Sequence, residues 1–317
     1  FSYIGLDDKP IRNPKELERI KSLGIPPAWT NVWICPRSNG HIQATGRDAK
    51  GRKQYRYHPR WREVRDATKY DRIIAFGEAL ALIRKQTSHD MSLSGLPYEK
   101  VVATVIQLLD ATLIRVGNEE YARENNTFGL TTLRSEHVDV SGSEIEFSFR
   151  GKRGKEHTIG VKDRRLAKIV KRCRELPGHE LFQYYDDDKV LRTIESDDVN
   201  EYLQKITGQN FTAKDFRTWG GTVVATRTLE EFGAFESETQ AKKNVVQAIK
   251  AASAELGNTP AICRKCYVHP GIIDAYMNGS LLNFLKLHSE QELAASADGL
   301  RPDEAVVLAF LRQLSTS

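Results

Sequence analysis

The sequence predicts an α+β protein with two domains. A small β-rich domain covers residues 1–67, and a mostly α-helical domain with a three-stranded antiparallel β insert covers residues 68–317. Three observations predict this. The chain has 317 residues, roughly two domains' worth at ~150 residues each. Strand-like alternation is confined to the first 57 positions and to a stretch between 137 and 161, while the rest carries helical apolar spacing. The charge is also divided: residues 1–70 hold 15 Lys and Arg against 7 Asp and Glu, a net of +8, leaving −3 for the rest of a chain whose total is +5.

In chain order, Asn13-Pro14-Lys15-Glu16 opens a short helix, with Asn13 as cap and Pro14 at the first position, where its missing N–H costs nothing. Gly24 and Pro26-Pro27 end it. Asn31–Cys35 and His41–Thr45 read as strands around the turn Ser38-Asn39-Gly40, and Lys53–Tyr57 as a third strand. Alternation places Gln54 and Arg56 on one face of that strand, and Tyr55 and Tyr57 on the other.

The pattern changes near residue 66. Helices are expected over Tyr70–His89, from Pro97 to about Arg115, and over Glu119–Glu124. The second of these is apolar nearly all round, the mark of a buried central helix. The β insert follows: His137–Val140, Glu144–Phe149 and His157–Val161, the last two joined by the basic hairpin Gly151-Lys152-Arg153-Gly154-Lys155. Further helices are expected over Asp163–Leu176, Asp197–Ile206 capped by Ser196, Ala213–Phe232 capped by Thr212, Glu238–Leu256, Pro260–Tyr267, Pro270–Met277 and Pro302–Leu314.

Composition excludes several classes. With 40% hydrophobic and 28% charged residues, the chain can bury a core and is not a disordered tail. No apolar run approaches the ~18 residues of a membrane helix, so no membrane partner is expected. Four cysteines are too sparse for a disulfide framework, and the start Phe1-Ser2-Tyr3-Ile4-Gly5 lacks the layout of a secretory signal. A cytoplasmic protein is the expectation, nucleoid-associated if the source is bacterial.

The basic excess is densest from Arg47 to Arg65: Arg47, Lys50, Arg52, Lys53, Arg56, Arg60, Arg62 and Arg65 against Asp48 and Glu63, interleaved with Gln54, Tyr55, Tyr57 and Trp61. Cations that neutralise phosphates, mixed with aromatics and an amide able to reach base edges, make a nucleic-acid surface. A solvated basic face anchored by aromatics is the plainer alternative.

Three C-terminal stretches carry the chemistry. They are Lys214-Asp215-Phe216-Arg217, Leu256-Gly257-Asn258-Thr259-Pro260 and Cys263-Arg264-Lys265-Cys266-Tyr267. A Lys-x-x-Arg opening a helix, then Leu-Gly-Asn, then Tyr nine residues after the Asn resembles the active-site signature shared by type IB DNA topoisomerases and tyrosine recombinases. Ile114-Arg115-Val116-Gly117-Asn118 and Glu124-Asn125-Asn126-Thr127-Phe128-Gly129-Leu130-Thr131-Thr132-Leu133 resemble the first-arginine segment of the small poxvirus and bacterial topoisomerases. Gly46-Arg47-Asp48 and Gly51–Tyr57 resemble their DNA-clamp strand. The likeness runs from about residue 3 to about residue 290.

The resemblance implies a tyrosine recombinase-like catalytic fold and a monomer that clamps double-stranded DNA, cutting and resealing one strand without cofactor, metal or ATP. Tyr267 is the implied nucleophile. Arg115 and Arg217 are the implied clamps on the non-bridging phosphate oxygens, a task for a guanidinium fork. Lys152 matches the general acid, with Arg153 and Lys155 as alternatives on the same hairpin, and Lys214 matches a second, assisting basic residue. Asn258 stands where many relatives have His; its amide donates a hydrogen bond but transfers no proton. Gln54, Tyr55, Tyr57, Arg47, Arg52, Lys53 and Arg56 are the implied DNA contacts. Two rivals remain: a tyrosine recombinase or integrase, which assembles as a tetramer on DNA, and a non-catalytic DNA-binding protein of the same fold.

Other motifs read more simply. Cys263-x-x-Cys266 without a second pair is a weak zinc signal. Asp186-Asp187-Asp188 reads as a solvated turn, and Gly220-Gly221 as close helix packing rather than a phosphate loop. His137 and His157 read as surface or sheet residues.

Overall fold

Asparagine, threonine and proline at helix starts determine much of the architecture seen in the computed structural model. It describes residues 2–49, 51–288 and 299–316, without the side chains of residues 61–71 and 121. Lys50, and the side chains of Trp61, Arg62 and Arg65, therefore lie outside the described residues. The chain divides into two compact units, residues 1–71 and 72–317.

In the first unit, helix α1 (Pro14–Ser22) begins at Asn13, whose side chain accepts from the Lys15 N–H at 3.0 Å and the Glu16 N–H at 3.4 Å. Strands β1 (Thr30–Ile34), β2 (Ile42–Arg47) and β3 (Lys53–Tyr57) form an antiparallel meander in that order. Arg19 ties helix to sheet, donating to the Gln43 side chain at 2.7 Å and the Cys35 carbonyl at 2.8 Å.

Helix α2 (Pro59–Asp90) starts eleven residues before the expected Tyr70. Proline is tolerated at a first helical position, so the basic stretch after it continues into the apolar one. In the second unit, α3 (Tyr98–Thr112) is the central helix: Val101, Val102, Ala103, Val105, Leu108 and Leu109 are completely buried. It lies against α5 (Arg164–Arg174), α6 (Ser196–Thr207) and α7 (Ala213–Phe232). Burying each of the valine and leucine side chains contributes about 1.5–3 kcal/mol. The helix ends short of Arg115 because Leu113 adopts the left-handed conformation, φ 55°.

After α4 (Glu119–Asn125) come β4 (Val138–Ser141), β5 (Glu144–Arg150) and β6 (Glu156–Lys162), an antiparallel sheet in sequence order. Ile145, Phe147 and Phe149 alternate into the core; opposite them stand Val161, Ile159 and His157. A two-stranded ribbon, β7 (Gln183–Tyr185) and β8 (Leu191–Thr193), was not expected. The Asp186–Asp188 stretch is its turn, held by Asp186 accepting from the Val190 N–H at 2.8 Å and from Arg192 at 2.9 Å.

Helix α6 is capped by Glu195 rather than Ser196, because the Asp198 carboxylate reaches back to the Glu195 N–H at 2.7 Å. Helix α7 starts after Thr212 as expected, and its Asp215 carboxylate accepts from the Thr212 N–H at 2.7 Å. Helices α8 (Glu238–Glu255), α9 (Pro260–Cys266) and α10 (Pro270–Met277) follow, then an unexpected α11 (Ser280–Leu287), and finally α12 (Pro302–Thr316). No helix among the described residues is long and apolar enough to cross a membrane.

Candidate active site

Four of the expected site residues come together in the second unit, each delivered by a different local device. Arg115 follows the left-handed Leu113, and the Thr112 hydroxyl accepts from the Ile114 N–H at 3.2 Å. Its main chain is locked by residues 129–131: the Leu130 N–H donates to the Arg115 carbonyl at 2.8 Å, and the Thr131 N–H to the Val116 carbonyl at 2.7 Å. Gly129 permits this approach, since a Cβ there would lie 2.5 Å from the Arg115 carbonyl oxygen. The two segments whose sequences resemble the first-arginine region thus hold each other.

Arg217 lies in the second turn of α7 and is 4% exposed. Its Nη1 donates to the Leu113 carbonyl and its Nη2 to the Leu256 carbonyl at 2.8 Å. One guanidinium therefore ties the end of α3 to the end of α8. Its Nε is buried with no hydrogen-bond partner among the described residues. Burial, and then the Arg115 charge, push Arg217 down to about 10, with Tyr267 acting the other way. It stays protonated at neutral pH.

Gly257, at φ 58°, ends α8 in the left-handed region and aims Asn258 back at Arg115, whose Nη2 donates to the Asn258 Oδ1. The amide orientation is set by that bond. Asn258 Nδ2 is left buried without a hydrogen-bond partner among the described residues.

Tyr267 caps the C-terminal end of α9, half-buried, with its N–H donating to the Cys263 carbonyl at 2.8 Å. The Arg217 guanidinium stands 5.3 Å from the centre of its ring. Cys263, one turn earlier, is fully buried, and burial pushes its thiol up to about 11. It is a packing residue. Among the described residues no group of three His, Cys, Asp or Glu is placed to hold a metal ion.

Lys152 occupies a 3-10 turn, Lys152–Gly154, between β5 and β6, and is exposed, as are Arg153 and Lys155. Arg153 (φ 65°) and Gly154 (φ 73°) are both left-handed, which turns the chain within three residues. Gly151, immediately before Lys152, lines a small cavity of about 20 Å³ together with Arg115, Arg217, Leu113 and Leu256. Lys214 is exposed in the first turn of α7; its main-chain carbonyl accepts from the Thr218 hydroxyl at 3.2 Å, and it is not among the bonded group.

The same cavity contains a residue the sequence reading set aside. His157 lines it, half-buried beside Phe149. The signal was present: His157 is in phase with Ile159 and Val161, on the inward-facing positions of β6.

The expected DNA contacts all lie in the first unit. Tyr55 and Tyr57 stack at 6.1 Å on one face of β3, and Lys53 stands 5.7 Å from the Tyr55 ring centre. Gln54 donates to Asp48 at 3.0 Å, and Arg52 pairs with the same carboxylate at 2.7 Å. Arg47 donates to the Gly51 carbonyl at 2.7 Å, and Arg56 to the Gly24 carbonyl at 2.8 Å. The ladder irregularity between β2 and β3 falls opposite Arg56 and Tyr57, so Gln54 and Tyr55 keep regular pairing and face opposite ways.

The family model for the catalytic core of eukaryotic DNA topoisomerase I matches residues 58–280, and that for the N-terminal domain of bacterial DNA topoisomerase IB matches residues 1–48. DNA topoisomerase 1B of Acanthamoeba polyphaga mimivirus is 33% identical over 286 residues, covering 88% of this chain and 85% of its own. DNA topoisomerase 1B of vaccinia virus, strain Copenhagen, is 26% identical over 243 residues, covering 75% and 73%. DNA topoisomerase 1 of rabbit fibroma virus is 24% identical over 279 residues, covering 85% and 84%. With both units matched and the relatives covered over most of their length, the chain belongs to the type IB DNA topoisomerases.

Proposed function

We propose that Tyr267 is the nucleophile of a metal- and ATP-independent strand transesterase with a tyrosine recombinase-like catalytic fold. The phenol oxygen attacks a backbone phosphorus of duplex DNA. A bond from Tyr267 to phosphorus forms, the bond from phosphorus to the 5′ oxygen breaks, and the 5′ strand leaves as a hydroxyl. One phosphodiester replaces another, so nothing is consumed, and reversal reseals the strand after rotation has released superhelical strain.

One observation carries this reading: Arg217 stands beside the Tyr267 ring, Arg115 is bonded to Asn258, and Arg217 Nε and Asn258 Nδ2 have no partner among the described residues. Extra negative charge develops on the non-bridging oxygens in the transition state, and preorganised donors at that place lower the barrier. Two guanidinium groups and the Asn258 Nδ2 supply them. Lys152 on the exposed turn donates the proton to the leaving 5′ oxygen, with Lys214 assisting. Arg47, Arg52, Lys53, Gln54, Tyr55, Arg56 and Tyr57 bind the duplex from the first unit, and a monomer closes on it as a clamp in the cytoplasm, at the nucleoid if the source is bacterial.

The test is relaxation of negatively supercoiled plasmid in EDTA without ATP, with Tyr267→Phe alongside. Relaxation by the natural protein, with loss of relaxation but retained DNA binding in the variant, is the expected result. Normal relaxation by Tyr267→Phe would refute the assignment.

A further inference from the structure

His157 has no part in the scheme above, yet its ring is closely flanked at the edge of the site. It stacks on Phe149, ring centres 5.3 Å apart and planes 19° from parallel. A Cβ added to Gly151 would sit 2.6 Å from its Cδ2, and one added to Gly257 would sit 2.5 Å from its Cε1. Real Cβ atoms do not approach so closely, so both positions need glycine while the ring is there. Gly151 is the residue before Lys152, and Gly257 the residue before Asn258. The ring therefore lies between the root of the hairpin and the turn that delivers the phosphate-facing amide.

We propose that His157 is a positioning residue: wedged between Gly151 and Gly257, it fixes the Lys152 hairpin against the pocket formed by Arg115, Arg217 and Asn258. The inference rests on the transesterase reading above. The turn closes on itself, the Gly151 N–H donating to the Lys155 carbonyl at 2.7 Å and the Gly154 N–H to the Gly151 carbonyl at 3.0 Å, while the His157 ring joins its root to the Gly257 turn. General-acid catalysis demands that the lysine keep its register, because a shift of about 1 Å costs roughly 100-fold in rate.

Charge around the ring agrees. Arg115 faces it from the segment after α3, Arg217 from α7 and Lys155 from the hairpin itself; Glu156 beside it and Glu255 at the end of α8 are the nearby acids. Burial first, then Lys155, Arg115 and Arg217, hold the imidazole below the usual histidine range, against the opposing pull of Glu156. A neutral ring fills the slot without repelling the two arginines.

The test compares single-turnover cleavage of two duplexes, one with the natural 5′ oxygen at the scissile phosphate and one with sulfur in its place. A thiolate leaves without being protonated, so the sulfur duplex does not need the acid. His157→Ala is expected to cut the oxygen duplex about 100-fold more slowly than the natural protein, and the sulfur duplex nearly as fast. His157→Phe, which refills the slot, is expected to recover most of the loss. Equal losses on both duplexes would overturn the proposal, since the ring would then serve the phosphate pocket. So would equal failure of the Phe and Ala variants, or full speed in His157→Ala. Failure of the natural protein to cleave either duplex would instead overturn the transesterase reading beneath it.

Discussion

A Cβ built on Gly221 would lie 2.7 Å from the carbonyl oxygen of Tyr267 and 3.3 Å from its Cβ. Helix α7, which carries Arg217, thus touches the main chain of the proposed nucleophile, and the next residue, Thr222, reinforces the contact. Its hydroxyl, which donates to the Thr218 carbonyl at 2.8 Å, also lies 3.4 Å from the Tyr267 carbonyl and accepts from the His269 N–H at 3.1 Å. Arginine and tyrosine keep their spacing because a glycine lets the two backbones meet.

Gly221→Ala is therefore expected to damage function more than fold. Alanine gains about 1 kcal/mol over glycine in a helix interior, which offsets part of the strain. The clash is with main chain, which cannot swing aside, so Tyr267 must shift. A displacement near 1 Å lowers single-turnover cleavage by roughly 100-fold. Cleavage within twofold of the natural protein would show that the contact does not set the position of Tyr267.

Asn258→Asp isolates one donor. Aspartate has the same shape, and its carboxylate can keep the Arg115 bond that Asn258 Oδ1 now makes. What is lost is the buried Nδ2, and a negative charge is put beside a phosphate. Cleavage is expected to fall by about 100-fold or more, the scale of a lost oxyanion donor, with melting temperature little changed. Near-normal cleavage at neutral pH would place that amide outside the reaction.

Arg217 has two duties, so its variants should fail in two ways. Its Nη atoms satisfy the Leu113 and Leu256 carbonyls, and its remaining face is toward Tyr267. Lysine retains charge but cannot span both carbonyls and a phosphate. Arg217→Lys is expected to slow cleavage by roughly 100-fold, and to destabilise the fold by about 1–3 kcal/mol for a buried acceptor left unpaired. Unfolding and single-turnover measurements on the same preparation read both. Slowed cleavage with unchanged stability would mean the carbonyl contacts are incidental.

Much of this was legible beforehand where a single residue determines a local outcome. Asn13, Thr212, Thr259-Pro260 and Pro270 mark helix starts because a cap or a fixed proline φ acts within one turn. The three-residue strands β7 and β8 are too short to show alternation, and α11 has Gly279, which carries no side chain, at its N-cap, so neither announced itself. At the site, the order of Arg115, Arg217, Asn258 and Tyr267 was legible as a motif. The closeness of Gly129 to Arg115, and of His157 to Gly151 and Gly257, was not. Those are side-chain and main-chain approaches set by the fold, visible in sequence only as isolated glycines.

The pH dependence of stability should show two stages of opposite origin. His157 and His137 are both held below the usual histidine value, mainly by burial. The unfolded chain takes up their protons near pH ~6.5, while the folded chain does so only at lower pH. Stability contributed by neutral rings is thus fully present above about 6.5 and falls as pH drops through the folded values. Glu304 and Asp90 are also depressed, against the desolvation that would raise them, Glu304 chiefly by Arg84 and Asp90 chiefly by the Tyr202 hydroxyl. Their contribution holds above about 4.5 and is lost below it. Melting temperatures followed downward from pH 7 should fall first in the histidine window, and His157→Phe should flatten that first decline while leaving the second. An unchanged first decline in the variant would show that the buried ring is not kept neutral by its neighbours.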